Sequence, residues 1–243
     1  MPTSLVSCYR DKPQALTTII EKVQSLVTHS LMDAFQPYKP EQVHATIIGM
    51  ETINIDNRLY SKWCIENQIR VDPVDWKKLS GFLTQKIPAV TIQIGGYESH
   101  VDYGFKSRGV GPYMRSFSIH DNRVVINGWP VTATPEGYQS SQALYHWRKQ
   151  FQRYQLCHKW NAEGYQDNDF FMVLGTIKDH LNKNWFGTLI QEARDLLTKE
   201  SVIFTLYPKL LSLVHYQDTE LPTESTRVFP LHLKNLRDFQ HWF

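Results

Sequence analysis

The sequence has few cysteines, a small net charge and no long apolar run, and each shortage excludes a class of protein. The three cysteines, Cys8, Cys64 and Cys157, are odd in number and widely spaced, which argues against a disulfide framework and favours a reducing compartment. The formal charge of +2 is too small for a general polyanion binder, so we expect no DNA partner. Runs such as 170–174 and 210–214 stop far short of the roughly 18 apolar residues that suggest a membrane span.

The N-terminal segment Met1-Pro2-Thr3-Ser4 leads into polar sequence without the apolar core of a secretory signal. We therefore expect a cytoplasmic protein with no membrane association. No zinc-type spacing of cysteine and histidine occurs, and no metal or other cofactor is expected. With 243 residues, 42% of them hydrophobic, and no low-complexity linker, the chain is expected to form a single domain over residues 1–243.

Periodic apolar patterns predict an α+β fold. The expected helices cover 13–31, 75–86, 140–155 and 184–198. The expected strands cover the segment around His44 and residues 89–94, 115–119, 123–127, 170–174, 202–206, 210–216 and 229–233. Helix, strand, helix and further strands follow one another in the first half of the chain and again in the second, which indicates a weak internal duplication.

The segment Gln-Val-His-Ala-Thr-Ile-Ile-Gly at 42–49 is the part of the chain best suited to chemistry. Residues two apart in a strand share a face, so His44 and Thr46 are expected to point together, away from Val43, Ala45 and Ile47. This arrangement offers an imidazole and a hydroxyl to one ligand. The alternative is a buried histidine that a neighbouring threonine satisfies, with no cavity beside it.

This segment and the repeated order of elements resemble the 2H phosphoesterase superfamily, whose members include RNA 2',3'-cyclic phosphodiesterases and RNA ligase-like proteins. The resemblance implies two pseudosymmetric lobes of antiparallel sheet with flanking helices around a central cleft. Each lobe of that family supplies one H-x-T or H-x-S motif, and the paired imidazoles act as general acid and general base without a metal. It implies that His44 is the acid or base and that Thr46 binds phosphate oxygens.

The second motif departs from the family pattern. If the strand 170–174 is the counterpart of the first motif, aligning the glycines that follow each segment puts Phe170 and Met172 in the motif positions. A shift by one residue puts Asp169 and Phe171 there instead. Both registers lack a histidine, so acid and base chemistry would be left with a single imidazole.

His158 is the candidate for the missing imidazole, supplied from a loop near the second half of the chain. The alternative is a histidine at a helix C-terminus that interacts with exposed carbonyls and the helix dipole. His215 is a further imidazole that would have to reach into the site. Cys157, beside His158, has no activating neighbour that the sequence reveals.

A glycine-rich basic stretch over 97–115 suggests a phosphate site. Arg108, Arg115 and Tyr113 surround glycines whose backbone amides can add donors, and guanidinium groups match phosphate oxygens. The stretch lacks the P-loop pattern. The alternative is a surface hairpin with scattered charge.

Two further polar groups have simpler expected roles. Arg148, Lys149 and Arg153 are expected on solvated faces of a helix, since charged residues populate such faces. The triplet at 167–169, Asp-Asn-Asp, is expected to cap or turn, with metal binding as the alternative.

The resemblance thus implies a phosphodiester-binding protein, a 2H-type cyclic phosphodiesterase and so a hydrolase, acting on a cyclic nucleotide, a cyclic phosphate or an RNA end. The alternative function is that of a degenerate member, which kept the fold and binds a ligand or a protein partner.

Overall fold

The computed structural model describes residues 2–84, 87–159, 166–178 and 186–231. The parts of the predicted elements at 85–86, 184–185 and 232–233 lie outside the described residues. The helices are α1 Gln14–Leu31, α2 Lys62–Glu66, α3 Trp76–Thr84, α4 Pro112–Ser116, α5 Ala143–Gln150 and α6 Phe186–Lys199. The strands are β1 Thr3–Ser7, β2 Phe35–Pro37, β3 Ala45–Gly49, β4 Thr52–Ile55, β5 Arg58–Ser61, β6 Val90–Ile94, β7 Phe117–His120, β8 Arg123–Thr134, β9 Gly137–Ser140, β10 Phe170–Ile177, β11 Val202–Leu206, β12 Leu211–His215 and β13 Arg227–Pro230.

The strongly periodic segments form the predicted elements, with shifted ends. In α1 the apolar residues at spacings of three and four form the expected stripe, of which Leu26 is partly buried and the others are buried: Leu16, Ile19, Ile20, Val23 and Val27. The predicted helix at 140–155 is split, because α5 ends at Gln150 and a 3₁₀ turn follows over Phe151–Tyr154. Arg115 belongs to α4 rather than to a strand. Periodicity did not reveal β1, since all five of its residues are buried and no alternation is visible.

The fold is mixed α/β, with a curled antiparallel sheet. Within the described residues this sheet has eleven strands, in the order β11-β6-β8-β10-β3-β1-β12-β13, with β2 added on β10 and both β7 and β9 on β8. The hairpin β4-β5 is separate from it. The main order divides into two halves of four strands, β11-β6-β8-β10 and β3-β1-β12-β13, which meet between β10 and β3.

The two halves have matching irregularities in their innermost strands. β3 pairs with β1 through Val6↔Thr46 and Leu5↔Ile48, which leaves Ile47 as the bulged residue. β10 pairs with β8 through Val173↔Val125 and Gly175↔Val124, which leaves Leu174 as the bulged residue. Because a bulge marks a fixed place in a ladder, Ile47 corresponds to Leu174. This correspondence relates the two halves residue by residue.

The faces of the sheet are covered differently. α1 lies against β2, β10 and β11 and also packs on α6, and this face carries the main core. The opposite face carries two smaller clusters. One contains Val6, Tyr9, Val214, Tyr216 and Leu221, and the other contains Tyr97, Tyr113 and Trp129. The junction of β3 with β10 lies between the strands that carry these two clusters.

Candidate functional site

His44 and Thr46 lie at the junction of the two halves. β3 begins at Ala45, so His44 directly precedes the strand in which it was expected. Burial alternates as the sequence predicts: His44 and Thr46 are partly exposed, whereas Val43, Ala45 and Ile47 are fully buried. The imidazole and the hydroxyl therefore share the face of the sheet opposite α1.

The surroundings of His44 fix its protonation. Its Nδ1–H donates to the carbonyl of Gln42 at 2.7 Å, and the ring packs edge-on against Tyr9 with centroids 5.7 Å apart. Burial lowers the pKa of His44 to about 4, and the nearby charge of Lys12 adds to this effect. At neutral pH the imidazole is uncharged, and Nε2 carries the lone pair. His44 is therefore suited to accept a hydrogen bond at Nε2, whereas a pKa near 4 makes it a weak base and leaves it no proton to donate there at neutral pH.

The residues that correspond to His44 and Thr46 in the other half are Phe171 and Val173. When Ile47 is aligned with Leu174, His44 aligns with Phe171 and Thr46 aligns with Val173. Ala45 and Met172 also align with each other, and they lie opposite each other in the sheet. The alignment of the glycines and the shift by one residue both differ from the alignment of the bulges, because Gly49 lies two residues after Ile47 whereas Gly175 lies one residue after Leu174. Neither Phe171 nor Val173 supplies an acid or a base.

These four residues form one strip across the junction, which we call the central strip: His44, Thr46, Phe171 and Val173. All four are partly exposed, and both Ala45 and Met172 between them are buried toward the main core. The strip therefore has a polar half on β3 and an apolar half on β10. The strip is bounded by Val6 beside Thr46 and by Val125 beside Val173, which are both fully buried.

Arg148 occupies the gap where β3 and β10 separate. Its guanidinium donates to the carbonyls of Thr46 at 3.1 Å and Ile47 at 2.9 Å on one side, and to those of Asp167 at 3.2 Å and Asp169 at 3.1 Å on the other. Unpaired buried carbonyls are costly, and the five N–H groups of arginine can satisfy several at once. Arg148 is only 4% exposed, so its expected place on a solvated face is wrong.

His158 and Asp167 complete this buried cluster. Nδ1 of His158 lies 3.3 Å from the Asp167 carboxylate, which also lies 3.4 Å from Arg148. Burial, followed by the charge of Arg148, holds the pKa of His158 well below its usual range. Burial also raises the pKa of Asp167. The imidazole that was expected to complete the site is thus placed beside Arg148, and its catalytic role stays a prediction.

Asp169, the other acidic residue of the triplet, holds the basic stretch 97–115 in place. Asp169 accepts hydrogen bonds from the Ser107 hydroxyl and the Trp129 indole, both at 2.8 Å, and from Arg115 at 3.2 Å. Arg115 also donates to Ser107 at 3.3 Å. These contacts give the triplet a structural role within a charge-balanced network. No group of three or more potential metal-ligating side chains is found in the described ranges.

The three residues of the expected phosphate site have different surroundings. Arg115 faces Asp169, whereas the Tyr113 hydroxyl donates to Asp195 on α6 at 2.9 Å. Arg108 is exposed, in a left-handed conformation with φ 48°. Burial raises the pKa of Asp167, and the charge of Arg108 has the smallest effect on that pKa, in the opposite direction. The role of the three residues as phosphate ligands stays a prediction.

The sequence of α5 contains a signal that Arg148 is buried. Leu144, Trp147 and Phe151 are the buried stripe of this segment, and Arg148 lies four residues after Leu144, on the same stripe. Lys149 and Arg153, outside the stripe, are exposed as predicted. A charged residue on an apolar stripe is the pattern that indicates a buried, paired charge.

Comparisons with known proteins give a distant likeness. No protein-family model matches the chain, and no curated protein matches it. Among solved structures, the chain is similar to Thermus thermophilus TT0787, at 9% identity over 94% of each chain, with a TM-score of 0.43. It is also similar to ATU0111 of Agrobacterium tumefaciens, a conserved protein of unknown function, at 11% identity over 89% of this chain and 82% of that one, with a TM-score of 0.49.

Within the described residues, no helix is both long enough and apolar enough to span a bilayer.

Proposed function

We propose that this protein binds a nucleotide or RNA-end phosphodiester on the central strip, in the manner of a 2H phosphoesterase with only one complete motif. The observation that supports the proposal is the strip itself, in which His44 and Thr46 face the same side as Phe171 and Val173. The proposal includes the two-lobe arrangement around a cleft that the resemblance implies.

Each half of the strip has a distinct task in this proposal. Thr46 donates its hydroxyl to a phosphate oxygen, and Nε2 of His44 accepts a hydrogen bond from a ligand hydroxyl. Phe171 and Val173 offer apolar surface, on which a base can stack or a ribose can pack. Because a second imidazole is absent from the corresponding position, binding is favoured over turnover. The ligand class is a small nucleotide, cyclic or terminal, rather than duplex nucleic acid.

Calorimetric titration with 2',3'-cyclic nucleotides and with 5'-mononucleotides tests this function. His44→Ala and Thr46→Val should each weaken binding by about 10-fold, the usual effect of losing one hydrogen bond to a charged or strongly polar ligand. Phe171→Ala should weaken the binding of nucleotides more than the binding of inorganic phosphate. His100→Ala is the matched control, since this side chain is 77% exposed. Unchanged affinity in all three strip variants would refute the proposal.

A second candidate function is a hydrolase with one acid/base group. It is suggested by Nε2 of His44, which is unprotonated at neutral pH and can act as a weak base toward an attacking water molecule. In that case His44→Ala should lower turnover by about 10²-fold to 10⁴-fold, and a chelator should leave turnover unchanged. Turnover that survives His44→Ala would exclude this mechanism, while binding without turnover leaves the first function standing.

A protein-binding role is the remaining alternative from the sequence. It predicts that no nucleotide in the panel binds. A titration without heat for every nucleotide, in a folded protein, would favour it over both functions above.

A further inference from the structure

A carboxylate lies at the end of β3 that is opposite to His44. Glu51 follows the strand by two residues, and its Oε1 accepts a hydrogen bond from the Tyr216 hydroxyl at 2.9 Å. The hydroxyls of Ser4 and Tyr216 lie 3.0 Å apart. Because a tyrosine hydroxyl has a single proton, and Tyr216 donates it to Glu51, Ser4 is the donor to Tyr216. A chain of two hydroxyls therefore holds the carboxylate.

Burial fixes the two hydroxyls that hold Glu51. Ser4 is 4% exposed and Tyr216 is 6% exposed. Tyr216 packs in the same small cluster as Val6 and Val214, on the face of the sheet opposite α1. Burial, followed by the charge of Glu51, raises the pKa of Tyr216, so the phenol keeps the proton that it donates. The carboxylate is thus positioned before any ligand arrives, and such preorganisation lowers the entropic cost of binding.

Gly49 provides the space in which the carboxylate lies. A Cβ at Gly49 would be 2.6 Å from Oε2 of Glu51. In the pairing with β1, Gly49 lies opposite Ser4, and Thr46 lies opposite Val6. Ser4 and Val6 are two residues apart in one strand and share a face. The carboxylate of Glu51 therefore lies on the same face of the sheet as the Thr46 hydroxyl.

The separation of Thr46 from this carboxylate suits a single nucleotide. Their partners on β1 are two residues apart, which corresponds to about 7 Å at about 3.4 Å per residue. The 5'-phosphate and the ribose hydroxyls of one nucleotide are separated by a comparable distance. Thr46, Gly49 and Glu51 are all partly exposed. Because a carboxylate repels an anion, the phosphate is favoured at the Thr46 end and a neutral group at the Glu51 end.

The second oxygen of the carboxylate is available to a ligand. Within the described part of the chain, the side chain of Glu51 accepts one hydrogen bond, at Oε1. A carboxylate only accepts hydrogen bonds and has room for several donors. The 2' and 3' hydroxyls of ribose are two adjacent donors, and an acidic side chain recognises ribose hydroxyls in dinucleotide-binding folds. The free diol of a ribose therefore matches this end of the site.

We propose that Glu51 is a specificity-determining residue, which binds the ribose 2' and 3' hydroxyls of a ribonucleoside 5'-phosphate whose phosphate lies on Thr46. The inference rests on the proposed function and narrows its ligand class to nucleotides with a free diol. Tyr216 and Ser4 are positioning residues, since they act on the ligand through Glu51.

The test compares adenosine 5'-monophosphate with its 2',3'-dideoxy analogue by calorimetric titration. Wild type should bind the ribonucleotide about 10-fold to 100-fold more tightly, the usual effect of hydrogen bonds to a charged group. Glu51→Gln should lose most of this preference, because the ribonucleotide binds more weakly and the analogue binds as before. Tyr216→Phe should reduce the preference in the same direction, since Glu51 loses its donor. Glu136→Gln, at an exposed position, is the matched control and should keep it.

The outcomes separate this inference from the proposed function. Equal affinity of wild type for both nucleotides, or an equal loss of both in Glu51→Gln, would overturn the role of Glu51. If binding still depends on His44 and Thr46 in that case, the proposed function stands. If the folded wild-type protein binds neither nucleotide, both proposals are refuted. Thermal unfolding shows whether each variant is folded, and Glu51→Gln, at the partly exposed position, carries the test if the buried Tyr216→Phe variant is not.

Discussion

Ala45 lies directly opposite Met172, and this antiparallel pair joins the two halves of the sheet. On each side of it the strands separate, and other groups enter the gaps. Arg148 bonds the carbonyls of both strands on one side. On the other, β2 pairs with β10, and Gln24 donates to the carbonyls of Tyr38, directly after β2, and Leu174, both at 2.8 Å. The same pair sets His44 and Thr46 beside Phe171 and Val173, so the geometry of the central strip depends on it.

Restoring the second motif should create or increase turnover. In the double variant Phe171→His, Val173→Thr, an imidazole and a hydroxyl occupy the positions that correspond to His44 and Thr46. If the site is of the 2H type, hydrolysis of 2',3'-cyclic nucleotides should rise by about 10²-fold or more, since a positioned acid or base contributes that much. Initial rates by chromatography measure it. The increase should vanish when His44→Ala is added; an increase that persists without His44 would show that the two positions do not act together.

Removing the Arg148 guanidinium should destabilise the fold strongly. Arg148→Met retains apolar bulk but leaves four carbonyls and the Asp167 carboxylate without their donor. Breaking a buried ion pair on one side costs about 3–5 kcal/mol of unfolding free energy, which urea denaturation measures. Lys149→Met, on the exposed neighbour, is the control and should change little. Equal stability of the two variants would contradict the bridging role of Arg148.

Acid should destabilise the protein through two histidines whose pKa values lie below the usual range. The pKa of His44 falls to about 4, and that of His158 also falls, so between about pH 4 and 6.5 the unfolded chain binds more protons than the folded one. The unfolding free energy must therefore decrease as the pH is lowered from 6.5 toward 4. Asp167 has the opposite effect. Because its pKa is raised in the folded state, the unfolding free energy decreases as the pH rises through that pKa.

Urea denaturation at pH 7 and pH 5 measures this dependence. His44→Gln should reduce the difference in unfolding free energy between the two pH values, because the buried group no longer titrates. His100→Gln, at an exposed position, should leave the difference unchanged. A pH dependence identical in wild type and His44→Gln would show that His44 is accessible to protons in the folded state.

Gly175 should be hard to replace, since β2 pairs closely with β10 at this residue. A Cβ at Gly175 would lie 2.4 Å from the carbonyl of Gln36 and 2.6 Å from the ring of Phe35. Gly175→Ala should therefore lower the unfolding free energy by about 1–3 kcal/mol. Gly187→Ala is the control, because its Cβ would meet no atom within 4 Å and alanine favours the helix. Calorimetry should show opposite shifts of the unfolding temperature.

Local periodicity was enough to predict much of the fold. The stripe of α1, the helices α3 and α6, and the strands β6, β11 and β12 follow from spacings that the backbone imposes over a few residues. The shared face of His44 and Thr46 follows from the two-residue period of a strand in the same way. The segment 170–174 has no histidine, so its composition alone predicted that the strand paired with β3 places no imidazole beside His44.

Tertiary structure decided what depends on contacts between distant segments. The bulges at Ile47 and Leu174 set which residues face His44 and Thr46, and a bulge is a property of two paired strands rather than of either sequence alone. Arg148 is buried because two strands separate beside α5. Sequence fixes the local period of each element, whereas long-range pairing fixes register, and register places the side chains of this site.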